Sequence, residues 1–463
     1  MLELRHVTSI NDLTIDEIET IFSLAQKYLK DLRDPHVAHR IGRSIDEARG
    51  SILASLFYEP STRTRLSFES AMLRLGGKSV SSADPATSSA AKGESLADTV
   101  RVASNYADVL VIRHPRDGAV KLAATYASVP VLNGGDGAHE HPTQTLCDLF
   151  TLKQEGKNLK NLNVAISGDL KGSRTIHSFV YALARFGANI MLMPAKGMEL
   201  PAHVDWRLRN ELKSYSVPRE RYEKDNASVD ALYMTADKPH QLSLIPDANL
   251  KIRKGIDAMY VTRFQKERTS EKGQDYPTID QRFLKDRKFS KTSLLHPLPR
   301  VGELDIALDG DPRAAYFRQA AFGVPIRMAL IALILGTAKG YSLKRFEGGF
   351  PKEKHPVFDQ PGDGGVACVN KNCIVNDASE GKYARHRFHL IDPHRLRCFY
   401  CETDIENFVV ANKKTRHYQT EPEQFAAALV RHDRELVFFA GARDAEAAGY
   451  SAPKRRRKAA GGA

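Results

Sequence analysis

Residues 52–77 run Ile-Leu-Ala-Ser-Leu-Phe-Tyr-Glu-Pro-Ser-Thr-Arg-Thr-Arg-Leu-Ser-Phe-Glu-Ser-Ala-Met-Leu-Arg-Leu-Gly-Gly, and they leave few folds open. The apolar run 52–58 has the length of a buried strand. From Phe68 the period changes: Phe68, Ala71, Met72 and Leu75 fall on one helical face, and Gly76-Gly77 stops it. A strand that feeds a helix belongs to α/β architecture. Between the two stand Ser61, Thr62, Arg63, Thr64 and Arg65. A helix N-terminus presents unpaired N–H groups and the positive end of the helix dipole, so it favours an anion. Hydroxyls add donors, and Arg supplies a planar fork that matches phosphate oxygens. A lone Ser-Thr pair would read as an N-cap. Five consecutive donors at a strand-to-helix turn read as a phosphate site.

The alternation repeats along the chain. Thr14-Ile-Asp-Glu17 is a capping box, and it opens a helix with Ile18, Ile21, Phe22, Ala25 and Leu29 on one face. A strand at 109–112 ends at Arg113; another at 129–132 ends at Asn133 and a Gly-rich turn, 134–137. Pro142 suits the first turn of the next helix, which continues through Leu146, Leu149 and Phe150. After Glu155-Gly-Lys157 the pattern restarts: strand 162–166, turn Gly168-Asp169, a helix with Ile176, Phe179, Val180 and Leu183, then strand 189–193. This predicts two parallel-sheet α/β domains with ligands at the carboxyl ends of the strands. Residues 229–235 and 256–262 are near copies, and only the second continues into Arg263-Phe-Gln265. The first is either a duplication that adds a strand or an inserted surface excursion.

A chain of 463 residues should hold two to four domains, and 42% apolar residues suffice for globular cores. The longest apolar stretch, 328–335, is too short to span a bilayer and reads as a buried C-terminal helix. The first residues carry no basic-plus-apolar leader, so the expected location is the cytoplasm. Beyond Tyr341, Gly348-Gly349, Pro351, Pro356 and the stretch 361–365 mark a linker. Four of the five cysteines then form Cys368-x4-Cys373 and Cys398-x2-Cys401. In a cytoplasmic chain that spacing indicates a structural zinc rather than disulfides, with no coordination position left open. His386, His389 and His394 are spare ligand candidates, and Cys147 reads as a small core residue. The stretch 413–463 reads as a partly disordered tail with one helix around 425–429 and a solvated basic end, 454–458.

Six motifs occur in a fixed order: Phe57-Tyr-Glu-Pro-Ser-Thr-Arg-Thr-Arg65, Arg113-His-Pro115, His141-Pro-Thr-Gln144, Ser173-Arg-Thr175, Arg263-Phe-Gln-Lys-Glu-Arg268 and His296-Pro-Leu-Pro-Arg300. Over roughly residues 2–341 they resemble the aspartate and ornithine carbamoyltransferases. The resemblance implies a carbamoyl-phosphate-binding domain at 1–150, completed by a helix at about 316–342, and an aspartate-binding domain at 151–315. It implies transfer of the carbamoyl group of carbamoyl phosphate to the amine of L-aspartate, the reaction of pyrimidine synthesis, without a catalytic cofactor. Ser61, Thr62, Arg63 and Thr64 would then hold phosphate; Thr64, Arg113 and His141 would polarise the carbonyl oxygen. Gln144 would bind the carbamoyl amine, and Arg174, Arg263, Gln265 and Leu298 would bind aspartate. Ornithine enzymes typically carry Cys where Pro297 stands. Lys92, with Ser88 a weaker candidate, lies in a loop resembling one that enters the neighbouring subunit's site. A homotrimer with shared sites, or a dimer of such trimers, is therefore expected. The net charge of +12 then serves anionic substrates rather than nucleic acid.

The segment from Cys368 to Asn412 resembles the zinc domain of the regulatory chain that accompanies aspartate-specific members. Only the linker 343–365 precedes it, so the nucleotide-binding domain of such chains is missing. The expected whole is two α/β domains of the carbamoyltransferase fold plus a small zinc-ribbon-like β domain at 366–412. Two rival readings remain: transfer to another amine such as ornithine, and a nucleic-acid-binding ribbon on an inactive transferase.

Overall fold

The computed structural model describes residues 3–33, 46–82, 89–212, 216–217, 231–233, 255–265, 276, 278–360, 365–420 and 435–452. They fall into two compact units, Met1–Pro351 and Lys352–Ala463.

In the first unit β1 is Glu3–Leu4, β2 Ile52–Phe57, β3 Lys78–Ser82, β4 Val109–His114 and β5 Val131–Asp136. Strands β2 to β5 make a parallel sheet in the order β3-β2-β4-β5. The second sheet holds β6 (Asn163–Gly168), β7 (Asn189–Pro194), β8 (Ser216–Val217), β9 (Ala231–Tyr233), β10 (Ala258–Val261) and β11 (Ser293–Leu295). It too is parallel, in the order β11-β10-β6-β7-β9-β8. The predicted helix faces are buried: Ile18, Ile21, Phe22, Ala25 and Leu29 on one, Phe68, Ala71, Met72 and Leu75 on the other. The capping box forms reciprocally: the Thr14 N–H donates to Glu17 Oε2 at 2.9 Å, and the Glu17 N–H to Thr14 Oγ1 at 3.2 Å.

The helix Tyr316–Leu335 returns to the first sheet's side and packs on the helices Ile15–Arg33, Thr62–Arg74 and Pro142–Gln154. Among the described residues it is the one helix long and apolar enough to cross a membrane. Its burial among three helices accounts for that composition.

Two local readings resolve differently from their sequence pattern. The Gly-rich stretch 134–137 is not simply a turn: β5 runs through Gly134 and Gly135 to Asp136. A Cβ on Gly134 would stand 3.2 Å from the Ile112 carbonyl oxygen, and Gly135 has φ +112°. These glycines permit close approach and a left-handed backbone within a strand. Of the two readings for the near copies, the added strand holds. The first copy supplies β9, hydrogen-bonded to β7 and β8, and the second supplies β10 between β6 and β11.

In the second unit β13 (Val357–Asp359), β14 (Arg387–Asp392), β15 (Arg395–Cys398) and β16 (Asp404–Ile405) form an antiparallel sheet in chain order. A further sheet joins β17 (Val409–Asn412), β18 (His417–Gln419) and β19 (Leu436–Phe439) in the order β18-β17-β19, with the helix Ala442–Ala447 against it. A domain end at 412 therefore cuts this sheet, because β17 pairs with both later strands. Val409, Ala411, Tyr418, Val437, Phe439, Ala445 and Tyr450 make its core. The linker also carries structure: Phe346–Glu347, β12, pairs with β1, and β13 opens the second unit. Gly and Pro marked the turns, but not the short strands whose partners lie far along the chain. The helix expected around 425–429 lies outside the described residues.

Candidate active site

Three helices aim their N-termini at one cleft of about 570 Å3: Thr62–Arg74, Pro142–Gln154 and Arg174–Arg185. Their N-cap residues Ser61, His141 and Ser173 make no side-chain cap. The usual partner of a helix's first N–H groups is thus missing three times in one place, which suits an anion. Among the described residues, Arg63, Arg113, Arg174, Arg263 and Arg327 line the cleft, against Glu59 as its one carboxylate. Its electrostatics favour a ligand carrying several negative charges.

The arrangement brings together almost every residue singled out from sequence. Ser61, Thr62, Arg63, Thr64, Arg113, His141, Gln144, Arg174, Arg263, Gln265 and Leu298 all line the cleft. Thr64 Oγ1 lies 3.5 Å from His141 Nε2, at the edge of hydrogen-bond range, and the His141 N–H donates to Ser178 Oγ at 2.8 Å. Arg113, at the end of β4, donates to the Gly134 carbonyl at 3.3 Å and reaches Glu59 at 3.5 Å. Arg63 donates to the Leu298 carbonyl at 2.6 Å, tying the phosphate-site helix to the loop after β11. Burial, then the nearby Arg263 charge, lowers the Arg63 pKa. The Gln265 N–H donates to Asp169 Oδ2 at 3.1 Å, which anchors the strand end that carries Arg263. Lys92 does not line its own chain's cleft; it ends the turn Ser89–Lys92 and is itself exposed. Ser88 and residues 266–268 lie outside the described residues.

His296 is a loop builder. Its Nδ1 accepts the Leu298 N–H at 2.7 Å, so its Nε2 carries the proton and donates to Glu303 at 2.7 Å. Leu298 itself has φ +55°.

Three groups escaped sequence reasoning. Glu59 takes the Arg174 fork in a two-pronged ion pair at 2.8 and 3.0 Å, so Arg174 reaches the cleft already paired. Glu59 stands inside the first motif, two residues before Ser61, and its position was the available signal. Asp148 lies one helical turn beyond Gln144 and accepts its Nε2–H at 2.7 Å. Gln319, from the C-terminal helix, donates to the same Asp148 oxygen at 2.6 Å, and nothing local in the sequence announces it.

Burial pushes the Asp148 carboxyl up to about 7. The folded protein then holds this proton more tightly than the unfolded chain. The stability so contributed is full below about pH 4 and is lost as pH rises through about 7. Asp148→Asn has no such proton to lose. The difference in Tm between variant and wild type should therefore move in the variant's favour from about pH 5 to about pH 8. A difference that stays constant over that range would sink the assignment.

In the second unit Cys368, Cys373, Cys398 and Cys401 are buried, and their four sulfurs lie within 4.8 Å of one another. The Cys368–Cys401 and Cys373–Cys398 sulfurs are 3.5 and 3.8 Å apart. A tetrahedron of sulfurs about 2.3 Å from zinc has edges of about 3.8 Å, so the set fits that ion. None of these cysteines forms a disulfide. The sulfur cluster includes no histidine; His386 instead lies beside it, its Nδ1 accepting the Cys368 N–H at 3.4 Å.

Comparison with known proteins agrees with this geometry. Residues 5–154 match the carbamoyl-phosphate-binding domain of the aspartate/ornithine carbamoyltransferases, and residues 160–334 match their Asp/Orn-binding domain. Residues 363–411 match the metal-binding domain of the aspartate carbamoyltransferase regulatory chain. The aspartate carbamoyltransferase catalytic subunits of Clostridium kluyveri and Thermoplasma acidophilum are each 42% identical over 342 residues, covering 73% of this chain and 99% and 100% of theirs. Among solved structures, the catalytic subunit of M. jannaschii aspartate transcarbamoylase is 36% identical with a TM-score of 0.58, over 73% of this chain and 100% of that one. Aspartate transcarbamoylase of Trypanosoma cruzi in complex with aspartate and phosphate is 32% identical, with a TM-score of 0.56 over 72% and 95%.

Proposed function

The chain belongs to the aspartate/ornithine carbamoyltransferase family, and on that premise we infer that it transfers the carbamoyl group of carbamoyl phosphate to L-aspartate. The products are N-carbamoyl-L-aspartate and phosphate. The observation that carries the choice of amine is that the described lining sets five arginines against one paired carboxylate, which suits a dicarboxylate and opposes a cationic side chain such as that of ornithine. A carbamoylation assay offering aspartate, ornithine and related amines tests it. Activity with ornithine above that with aspartate would overturn it.

The residue roles follow from the cleft. Ser61, Thr62, Arg63 and Thr64 hold the phosphate on the uncapped helix end. Thr64, Arg113 and His141 face the carbonyl oxygen, where negative charge develops as the aspartate amine attacks. The C–N bond forms, the C–O bond to phosphate breaks, and phosphate leaves with the electron pair and accepts the proton that the amine nitrogen gives up. Neither a covalent nucleophile nor a cofactor is required, only positioning and preorganised donors. Gln144 binds the carbamoyl amine. Arg174, Arg263, Gln265 and the Leu298 backbone receive aspartate.

The exposed Lys92 reads as a donor to a neighbouring chain's cleft, which makes the working unit a homotrimer with shared sites, alone or paired as a dimer of trimers. Mixing an Arg63→Ala chain with a Lys92→Ala chain, each nearly inactive, should restore part of the activity after subunit exchange. Hybrid assemblies would contain some clefts with both residues intact. No recovery under demonstrated exchange would refute the trans role.

The second unit adds a regulatory-type metal domain to a catalytic chain, with zinc as the ion that its four sulfurs fit. Cys368, Cys373, Cys398 and Cys401 would hold it as a closed structural site. Residues 343–365 are too few for a nucleotide-binding domain between the two, so the chain by itself should show no saturable response to CTP or ATP. The activity belongs to pyrimidine synthesis.

A further inference from the structure

Helix Pro142–Gln154 sets a carboxylate directly behind the amide that faces the cleft. Asp148 is fully buried. Its Oδ1 accepts Nε2–H bonds from both Gln144, at 2.7 Å, and Gln319, at 2.6 Å. The Gln319 Oε1 in turn accepts the His296 N–H at 2.9 Å, at the start of the loop that carries Leu298. An ionised carboxylate can only accept hydrogen bonds, so both amides must turn their NH2 groups toward it. The Gln144 oxygen is then the end of that amide left to meet a ligand, and Gln144 lines the cleft.

An acceptor in that place distinguishes two acyl phosphates of the same size. A carbamoyl group carries an NH2 that needs an acceptor; an acetyl group carries a methyl that does not. Turned the other way, Gln144 would set NH2 against NH2 and leave a donor unpaired in a buried site, which costs more than a hydrogen bond returns. We propose that Asp148 is a positioning residue that locks the Gln144 amide with its oxygen toward the acyl group, and thereby makes the cleft select a carbamoyl over an acetyl donor. This rests on the reading of Gln144 as the partner of the carbamoyl amine. Asp148 does not touch the substrate. It acts through Gln144, and through Gln319 it joins that choice to the second-substrate loop.

The carboxyl has a defined set of neighbours. Gln144 and Cys147 face it from its own helix, Gln319 and Arg327 from the C-terminal helix, and Tyr260 from β10. Arg327 Nη1 lies 3.4 Å from Cys147 Sγ. Burial holds the carboxyl near 7. The protonated form gains a donor and so loosens the constraint on the amides.

The test compares kcat/KM for carbamoyl phosphate and for acetyl phosphate, with aspartate saturating, in the full chain and its variants. Gln144→Ala should erase most of the preference for the carbamoyl donor. Asp148→Asn is nearly isosteric but can serve either amide orientation. It should lower that preference by about tenfold or more while leaving kcat/KM for acetyl phosphate little changed. General damage to the fold would lower both donors together and leave the ratio intact. Gln144→Ala with an unchanged ratio would mean that the reading of Gln144 fails. A collapsed ratio in Gln144→Ala with an unchanged ratio in Asp148→Asn would overturn the role given to Asp148 alone. Should Asp148→Asn not fold, the wild-type ratio measured from about pH 6 to about pH 9 decides, because ionisations common to both donors cancel in it. The ratio should rise as Asp148 loses its proton, and a flat ratio overturns the proposal.

Discussion

Arg113→Ala should lower kcat by about 100- to 1,000-fold, the scale on which one preorganised donor to a developing oxyanion acts. The variant should still fold. Its bond to Gly134, at 3.3 Å, and its approach to Glu59, at 3.5 Å, are long, and Glu59 keeps its shorter two-pronged pair with Arg174. Loss of a ground-state contact alone would raise KM and spare kcat; loss of a transition-state donor lowers kcat itself. The measurement is steady-state kinetics beside a thermal melt. A melt matching the wild type with an activity loss below about tenfold would remove Arg113 from the catalytic group.

Replacing Cys398 and Cys401 by Ser should release one zinc per chain and unfold the surrounding part of the second unit. Two of the four sulfurs disappear, and the remaining pair, Cys368 and Cys373, cannot close a tetrahedron. Two of the four strands of the sheet that carries Cys398 are short, β13 of three residues and β16 of two, and have little apolar surface to hold them without the ion. Metal binding then supplies the folding free energy of this region, on the order of 10 kcal/mol for structural zinc. Limited proteolysis should open residues near 366–412. Any assembly above the proposed trimer should be lost, whereas carbamoyl transfer should persist, because every described residue lining the cleft lies before residue 351. Metal analysis that finds no zinc in the intact protein, or a transferase activity that falls together with the metal, would overturn this division of labour.

Certain features were legible in the residue order because their physics is local. The strand-to-helix switch at 52–77 needed only a change of apolar period, and the donor run Ser61 to Arg65 needed only the chemistry of an uncapped helix end. The capping box at Thr14 and the cysteine spacing were equally self-contained. What escaped was non-local. Strand β9 reads as one of two near copies, and only hydrogen bonds to β7 and β8 make it part of the sheet. The stretch after 412 is turn-rich and polar in parts, and becomes a sheet only because Leu436–Phe439 finds Val409–Asn412.

The same division runs through the cleft. Residue order alone determined which donors stand at each helix start, and hence that the chain binds a phosphate and a polyanionic partner. Tertiary structure decided how those donors are held. Glu59 and Arg174 are 115 positions apart and meet at 2.8 Å. Asp148 and Gln319 are 171 apart and meet at 2.6 Å, in a site closed only when the helix Tyr316–Leu335 folds back over the first domain. Propensity, capping and metal-ligand spacing act over a few residues, so they can be read along the chain. The pairing of buried charges and the facing of amides depend on which helices come to lie side by side, and packing alone sets that.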